Sequence, residues 1–274
     1  MDELKLLDDI AVAAKEAGEA ILHIVARGFE VETKRDASPV TEADRAAERI
    51  ILAALARAAP GVPVIAEEEV AAGRIPAHDD LYFLVDPLDG TKEFVRGGDD
   101  YTVNIGLIRD GTPRLGVVFA PARGGLHGGL AGHGAWVEDK GGRRSIATRA
   151  PGPELIAVAS KSHFNQATAD YLAAAAKSCE YLAVGSSLKF CLVAEGKADI
   201  YPRLSPTSEW DTAAGHAVLL GAGGRVDGPD GTPLRYGKKA FINRGFVATG
   251  GWQAPAIKPW LEDFAGGGDI PEGV

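Results

Sequence analysis

LYFLVDPLDGTKEF, residues 81–94, drives five apolar residues into Asp86-Pro87-Leu88-Asp89-Gly90-Thr91. Leu81 to Val85 has the length and composition of a buried strand, and the spacing predicts its end at Asp86-Pro87. Asp86 and Asp89 stand three apart across a turn that Pro87 stiffens and Gly90 lets fold back. Two carboxylates held that close repel each other unless something positive sits between them. Hard oxygen ligands in such a turn suit Mg²⁺, which takes one or two carboxylates and fills its other positions with water and phosphate oxygens. Gly90 and Thr91 then open a helix through Lys92-Glu93-Phe94, whose free backbone N–H groups and dipole would seat a phosphate. A bare D-x-x-D is most often a solvated turn, and a lone Thr91 most often a helix N-cap. The whole string, placed behind an apolar strand, argues for metal and phosphate instead.

Working outward, Leu4, Leu7, Ala11, Ala14, Ala17, Ile21 and Ile24 recur every three or four residues and predict a helix over 3–27. Residues 28–40 read as a loop or irregular hairpin. Thr41 starts a second helix, with Asp44 three residues on in a near-capping-box arrangement, and Pro60-Gly61 stops it. Val62 to Ala66 is a short strand ending in Glu67-Glu68-Glu69. Val103, Ile105 and Leu107 alternate ahead of Asp110-Gly111, and Leu115 to Phe119 follows, which predicts a hairpin. The Gly-rich segment 124–134 with Trp136 continues the strands and turns. After Pro151-Gly152-Pro153 the rhythm changes: strand 156–159, helix 166–178, strand 181–184, helix 186–195 and strand 200–201 alternate as in βαβ units. A helix over 211–221 and strands near 225–226 and 246–248 complete it. The boundary near 150 separates an α+β half, 1–150, holding most of the acidic candidates, from an α/β half, 151–274, holding Asp211. The tail after 264 is expected to fray. Glu67-Glu68, Asp86 with Asp89, Trp210-Asp211 and Asp44 are expected at ends of strands or turns, where carboxylates point into a ligand crevice.

A net charge of −9 argues against a general nucleic-acid-binding surface or a polybasic membrane patch. An acidic chain can still bind an acidic substrate if metal ions reverse the local sign. Cys179 and Cys191 make no disulfide framework, and Cys191, within an apolar run, reads as a packed thiol. The acidic, amphipathic start MDELKLLDDI lacks the features of a signal peptide, and no apolar stretch is long enough for a membrane span. The expected setting is a reduced cytoplasm. No G-x-x-x-x-G-K-[ST], G-x-S-x-G or H-E-x-x-H occurs. His127 and His133, in a Gly-rich hairpin, read as structural.

DPLDGTKEF, with WDTAAGHA downstream, resembles the metal-binding signature pair of the inositol-monophosphatase superfamily of Mg²⁺-dependent, lithium-sensitive phosphatases. Within it, SPVTEAD, DPLDGTKEF, SKSH, GSSLKFCLVAEGKADIYPR and EWDTAAGHA look like the bacterial 3'(2'),5'-bisphosphate nucleotidases of the CysQ type. The resemblance runs from residue 4 to 250, with Ala66 standing where such proteins often carry Ser or Gly. It implies a layered αβαβα sandwich. It also implies a first metal on Glu67, Asp86 and the Leu88 carbonyl, and a second on Asp86, Asp89 and Asp211. A third, weaker metal near Glu67 would help activate water, giving two or three Mg²⁺ per active site. Thr91, hydrogen-bonded to Asp44, would orient the nucleophilic water, so Asp44, Thr91 and Glu67 are the implied catalytic residues. Asp89, Gly90, Thr91, Ser186 and Asp211 would face the substrate. Glu68 and Glu69 read as a solvated face.

A bisphosphorylated nucleotide brings a second phosphate that the metals cannot reach. Lys189 and Arg203 are placed to hold it, the Arg as a bidentate fork and the Lys as a point charge. His163 would lie near the base or sugar, and Lys92 is a further phosphate candidate. The implied reaction is hydrolysis of the 3'-phosphate of adenosine 3',5'-bisphosphate to AMP, with the sulfated precursor as a second substrate, in support of sulfate assimilation. Water attacks directly, since no Cys, Ser or His nucleophile is framed by a base. An inositol-1-monophosphatase or other sugar-phosphate phosphatase is the alternative within the superfamily, and a non-catalytic nucleotide sensor the alternative outside it. The sequence is compatible with a monomer or a homodimer, and with a peripheral contact at the inner face of the cell membrane.

Overall fold

A computed structural model describes residues 1–33, 39–160, 165–176 and 178–261, so His163 lies outside the described residues. The first half runs α1 (Glu3–Arg27), β1 (Val31–Thr33), β2 (Pro39–Thr41), α2 (Glu42–Ala58), β3 (Val64–Ala66), α3 (Glu67–Ala71), β4 (Leu81–Asp89) and α4 (Thr91–Val95). A meander of β5 (Thr102–Arg109), β6 (Thr112–Ala120), β7 (Gly125–Leu130), β8 (Gly134–Asp139) and β9 (Gly142–Ile146) follows. The second half runs β10 (Leu155–Ser160), α5 (Gln166–Ala175), β11 (Cys179–Val184), α6 (Leu188–Ala194), β12 (Ile200–Arg203) and β13 (Thr207–Ser208). It ends with α7 (Trp210–Gly221), β14 (Arg225–Asp227), β15 (Ile242–Asn243), β16 (Phe246–Thr249) and a 3₁₀ turn at Lys258–Trp260.

Strands β3 to β9 form one sheet in chain order, antiparallel except for the parallel pair β3–β4. The second sheet is ordered β11-β10-β12-β16-β14. In it β10 runs parallel to β11 and β12, as the βαβ rhythm predicts, whereas β16 runs antiparallel to β12 and β14. Helices α1 and α2 cover the outer face of the first sheet, α6 and α7 fill the space between the sheets, and α5 with the 3₁₀ turn covers the second. The layers are therefore α, β, α, β, α, as expected. Among the described residues no helix is long and apolar enough to cross a membrane.

Local chemistry explains the elements that position the cleft. Asp2 caps α1 by accepting the Leu4 and Lys5 N–H groups, and Gly28, at φ +80°, ends it. The face predicted from its periodicity, Leu7 through Ile24, is buried against the first sheet. Strand β4 does not stop at Asp86-Pro87 as the sequence predicts; it pairs with β5 as far as Asp89↔Thr102. The register shifts between Asp86 and Asp89, and Pro87 occupies that bulge, the one place in a central strand where a missing N–H is tolerated. Glu67-Glu68-Glu69, where the strand is expected to end, forms the first turn of α3.

Alternation along β4 sends Phe83 and Val85 toward α1 and α2, and Tyr82 and Leu84 toward α7, so Asp86 follows onto the α7 face. On that face Gly106 of β5, Gly116 of β6 and Gly129 of β7 stand in register across three strands. They make a flat lane for α7. A Cβ at Gly106 would meet the Ala214 nitrogen at 2.9 Å, one at Gly116 the Ala214 Cα at 2.8 Å, and one at Gly129 the Val218 Cα at 2.5 Å. Helix backbone thus rests directly on sheet backbone. Gly129→Ala is expected to destabilise the protein by about 1–3 kcal/mol in denaturant unfolding, because the added methyl meets main chain that cannot swing aside. Gly152→Ala, whose Cβ meets nothing closer than 3.5 Å, is the matched control and should stay within about 0.5 kcal/mol of the parent.

Candidate active site

The sequence candidates converge. Glu67, Asp86, Leu88, Asp89, Gly90, Thr91, Ser186, Lys189, Arg203 and Asp211 all line one cleft, with the exposed Lys92 beside them. Asp44 stands behind Thr91. Glu67 follows directly on the end of β3, as expected, whereas Asp44 and Asp211 lie just inside helices rather than at strand ends or turns. All three occupy the first turns of α2, α3 and α7, where the helix dipole favours a carboxylate.

Asp44 divides its two oxygens. Oδ2 accepts the Thr41 N–H at 2.7 Å and the Thr41 hydroxyl at 2.8 Å, closing the capping box of α2. Oδ1 lies 3.3 Å from the Thr91 hydroxyl, which is also 3.0 Å from the Leu88 carbonyl. The single Thr91 proton serves one acceptor at a time, and the oxygen of this cleft-lining residue keeps acceptor capacity of its own. Leu88 is held in turn, its N–H donating to Asp86 Oδ1 at 2.9 Å.

The carboxylates are held under strain of charge. Burial, followed by repulsion from Glu67, Asp89 and Asp211, pushes Asp86 well above the ordinary carboxylate range. Burial, then Asp89 and Glu67, pushes Asp211 up to about 7. Asp89 is raised by burial, against the opposing pull of Lys189 and of hydrogen bonds from Ser187 and Asn104. Lys189 is 3% exposed rather than solvated. Burial pushes it down to about 8, and its ammonium donates to the Ser186 carbonyl and sits 5.3 Å from the Tyr201 ring centroid. Arg203 is half-buried and donates to the carbonyls of Ser205, at 3.3 Å, and Pro206, at 3.1 Å, which aims its guanidinium from the cleft wall.

Among the described residues no three His, Cys, Asp or Glu side chains are already drawn together as a preformed metal centre. The donor chemistry still fits a hard divalent cation. Glu67, Asp86, Asp89 and Asp211 offer oxygen alone, and their mutual repulsion is the imbalance such a cation removes.

Several supporting residues escaped the sequence reading. Ser187 Oγ is 3.0 Å from Asp89 Oδ2 and 2.6 Å from the Asp211 carbonyl, tying β4 to α7. Asn104, opposite Asp86 on β5, donates to Ser187 Oγ at 3.0 Å. Thr207 donates to Asp211 Oδ2, and the Ser208 N–H reaches the same oxygen at 3.2 Å. Glu48 of α2 is buried and accepts the Glu68 N–H at 2.9 Å, capping α3 from outside, since Ala66 supplies no side-chain cap. Burial, with Glu67, Glu68 and Glu69 nearby, pushes Glu48 up to about 7. A glutamate spaced one helical turn past Asp44 was the available signal. Glu69, expected on a solvated face, is half-buried and paired with Arg74 at 2.6 Å. His127 is buried against Glu195 at 3.0 Å, and Cys191 is packed in the core.

The inositol monophosphatase family model matches residues 3–259. The chain belongs to the inositol monophosphatase family. It is 43% identical over 247 residues to the 3'(2'),5'-bisphosphate nucleotidase CysQ of Salmonella typhimurium, covering 89% of this chain and 99% of that one. The crystal structure of CysQ from Bacteroides thetaiotaomicron superposes with a TM-score of 0.75 at 36% identity, covering 89% and 97% of the two chains. An inositol monophosphatase from Anabaena superposes with a TM-score of 0.73 at 27% identity, covering 95% of each chain. The layered sandwich is thus the fold of the family.

The charge strain has a measurable consequence. Asp211, with its raised pKa, binds a proton more tightly folded than unfolded. Its contribution to stability is therefore largest below its unfolded pKa of about 4 and is lost as pH rises toward 7. In chelator, the difference in unfolding free energy between the parent and Asp211→Asn should fall across that window. A difference independent of pH would refute the upward shift that burial and the neighbouring acids impose on Asp211.

Proposed function

We propose that this chain is a 3'(2'),5'-bisphosphate nucleotidase, hydrolysing the 3'-phosphate of adenosine 3',5'-bisphosphate to leave AMP and phosphate, with the sulfated precursor as a second substrate. The observation that carries the reading is one cleft joining four carboxylates to two cations, Lys189 and Arg203, that stand outside them. A single phosphate needs the first group alone; a substrate with two phosphates uses both. The near full-length likeness to enzymes named for this reaction supports it.

In this reading residues 1–150 supply Asp44, Glu67, Asp86, Asp89 and Thr91, and residues 151–274 supply Ser186, Lys189, Arg203 and Asp211. Glu67, Asp86, Asp89, Asp211 and the Leu88 carbonyl would hold two or three Mg²⁺. When bound, these ions supply Lewis-acid stabilisation of the phosphoryl oxygens. The protein's own groups do the rest. Thr91 Oγ accepts a hydrogen bond from the attacking water while its own hydrogen is directed to Asp44 Oδ1 or the Leu88 carbonyl, which fixes the line of approach. Glu67 assists as an acceptor from the same water. Lys189 and Arg203 fix the second phosphate, and the negative charge that phosphate brings holds Lys189 protonated at neutral pH. Displacement is direct: among the described residues no imidazole lines the cleft beside Ser186, Ser187 or Thr207, and the amine that does, Lys189, is turned to the Ser186 carbonyl rather than to a hydroxyl. A cytoplasmic setting accompanies this substrate.

Phosphate release should be fastest on the bisphosphate nucleotide when it is compared with inositol phosphate and fructose bisphosphate, and should need Mg²⁺. Preference for inositol phosphate would reassign the substrate, and tight binding without release would make the chain a sensor. Arg203→Ala should raise KM for the bisphosphate nucleotide by about 10- to 100-fold, the worth of a charge-assisted hydrogen bond, while sparing small monophosphates. Asp89→Asn should lower kcat more than it weakens substrate binding, measured by turnover and by calorimetry.

A further inference from the structure

Asp100 does not line the cleft, yet it is wedged between two segments that do. It is 2% exposed although residues 96–99 before it are exposed. Its side chain faces two ways: Oδ1 pairs with the Arg123 guanidinium, and Oδ2 accepts the Gly185 N–H at 3.0 Å. Its backbone presses on the two glycines that begin the cleft segments. A Cβ at Gly90 would come 2.7 Å from the Asp100 carbonyl oxygen, and one at Gly185 would come 2.7 Å from Asp100 Cβ. Gly90 precedes Thr91 in the turn that ends β4. Gly185 precedes Ser186 and α6, where Lys189 lies.

The segment after Gly185 needs an external hold. Ser186 sits at φ +49°, in the left-handed region that a residue with a side chain occupies at a cost. The Gly185 N–H, immediately ahead of it, is bound by a carboxylate whose other oxygen is fixed by a guanidinium. A Cβ on either glycine would meet Asp100, and Gly90, at φ +94°, also takes a left-handed turn that favours glycine.

We propose that Asp100 is a positioning residue that clamps the Gly185–Lys189 segment to the Gly90 turn, setting the separation between the reacting phosphate and the Lys189 ammonium. Through that separation it sets the preference for substrates with two phosphates. The proposal rests on the reading of Lys189 as a second-phosphate ligand.

The test compares adenosine 3',5'-bisphosphate with adenosine 3'-monophosphate, which lacks the second phosphate. Asp100→Ala should raise KM for the bisphosphate by about tenfold or more, as expected for a displaced ligand group, while kcat/KM for the monophosphate changes far less. Asp100→Asn keeps a carbonyl acceptor for the Gly185 N–H but turns an amide N–H₂ toward the Arg123 guanidinium, and should recover part of the preference. Gly185→Ala attacks the same contact from the other side and should reproduce the loss, which carries the test if Asp100→Ala does not fold. Equal losses on both substrates, or none on either, would overturn the clamp. Lys189→Met separates the two levels of the argument. If it leaves the substrate preference intact, the second-phosphate reading fails. If it abolishes the preference while Asp100→Ala and Gly185→Ala do not, the clamp alone fails.

Discussion

The position of Asp211 depends on how closely a helix can approach a sheet. Side chains normally hold the two layers about 10 Å apart, and at that distance the first turn of α7 would stand clear of β4. Gly106, Gly116 and Gly129 remove the obstruction on three neighbouring strands, and Ala213, Ala214 and Ala217 remove it from the helix. The layers then meet main chain to main chain. Asp86, turned to the same face by the alternation of β4, and Asp89, displaced by the bulge at Pro87, are thereby brought to share a cleft with a residue more than a hundred positions away.

Packing that tight around carboxylates works against stability. Asp86, Asp89 and Asp211 are each raised by burial, and Asp86 and Asp211 by neighbouring acids as well, so the apo fold carries electrostatic repulsion that a wholly apolar core would avoid. The surrounding hydrogen bonds offset part of it: Ser187 and Asn104 around Asp89, Thr207 and Ser208 around Asp211, Thr41 around Asp44. Departures from locally optimal chemistry of this kind are expected where a fold serves a ligand. Filled with divalent cations, the same arrangement would reverse the local sign of a chain with net charge −9.

What was legible in the sequence was local or periodic. The α1 stripe, the Thr41–Asp44 cap and the DPLDGT turn each lie within a short window, and the layered order followed from the family resemblance. The misread features depend on distant partners. Strand β4 continues past Pro87 because Thr102 is there to pair with Asp89, which no window around residue 87 contains. Glu67 starts a helix that Glu48, nineteen positions earlier, helps to cap through the next residue. Ser187 and Asn104 are ordinary polar residues until the second half of the chain folds over the first. The reversed course of β16 between β12 and β14 is similarly invisible to a pattern that counts alternating strands and helices.

The divided carboxylate of Asp44 links robustness to chemistry. One oxygen keeps a helix from unravelling and the other reaches the hydroxyl beside the cleft, so neither task can be tuned alone. An isosteric amide would keep one oxygen and offer the other partner an amide nitrogen in its place. A lineage drifting toward higher thermal tolerance therefore has little freedom here, and must find its extra stability far from this helix start.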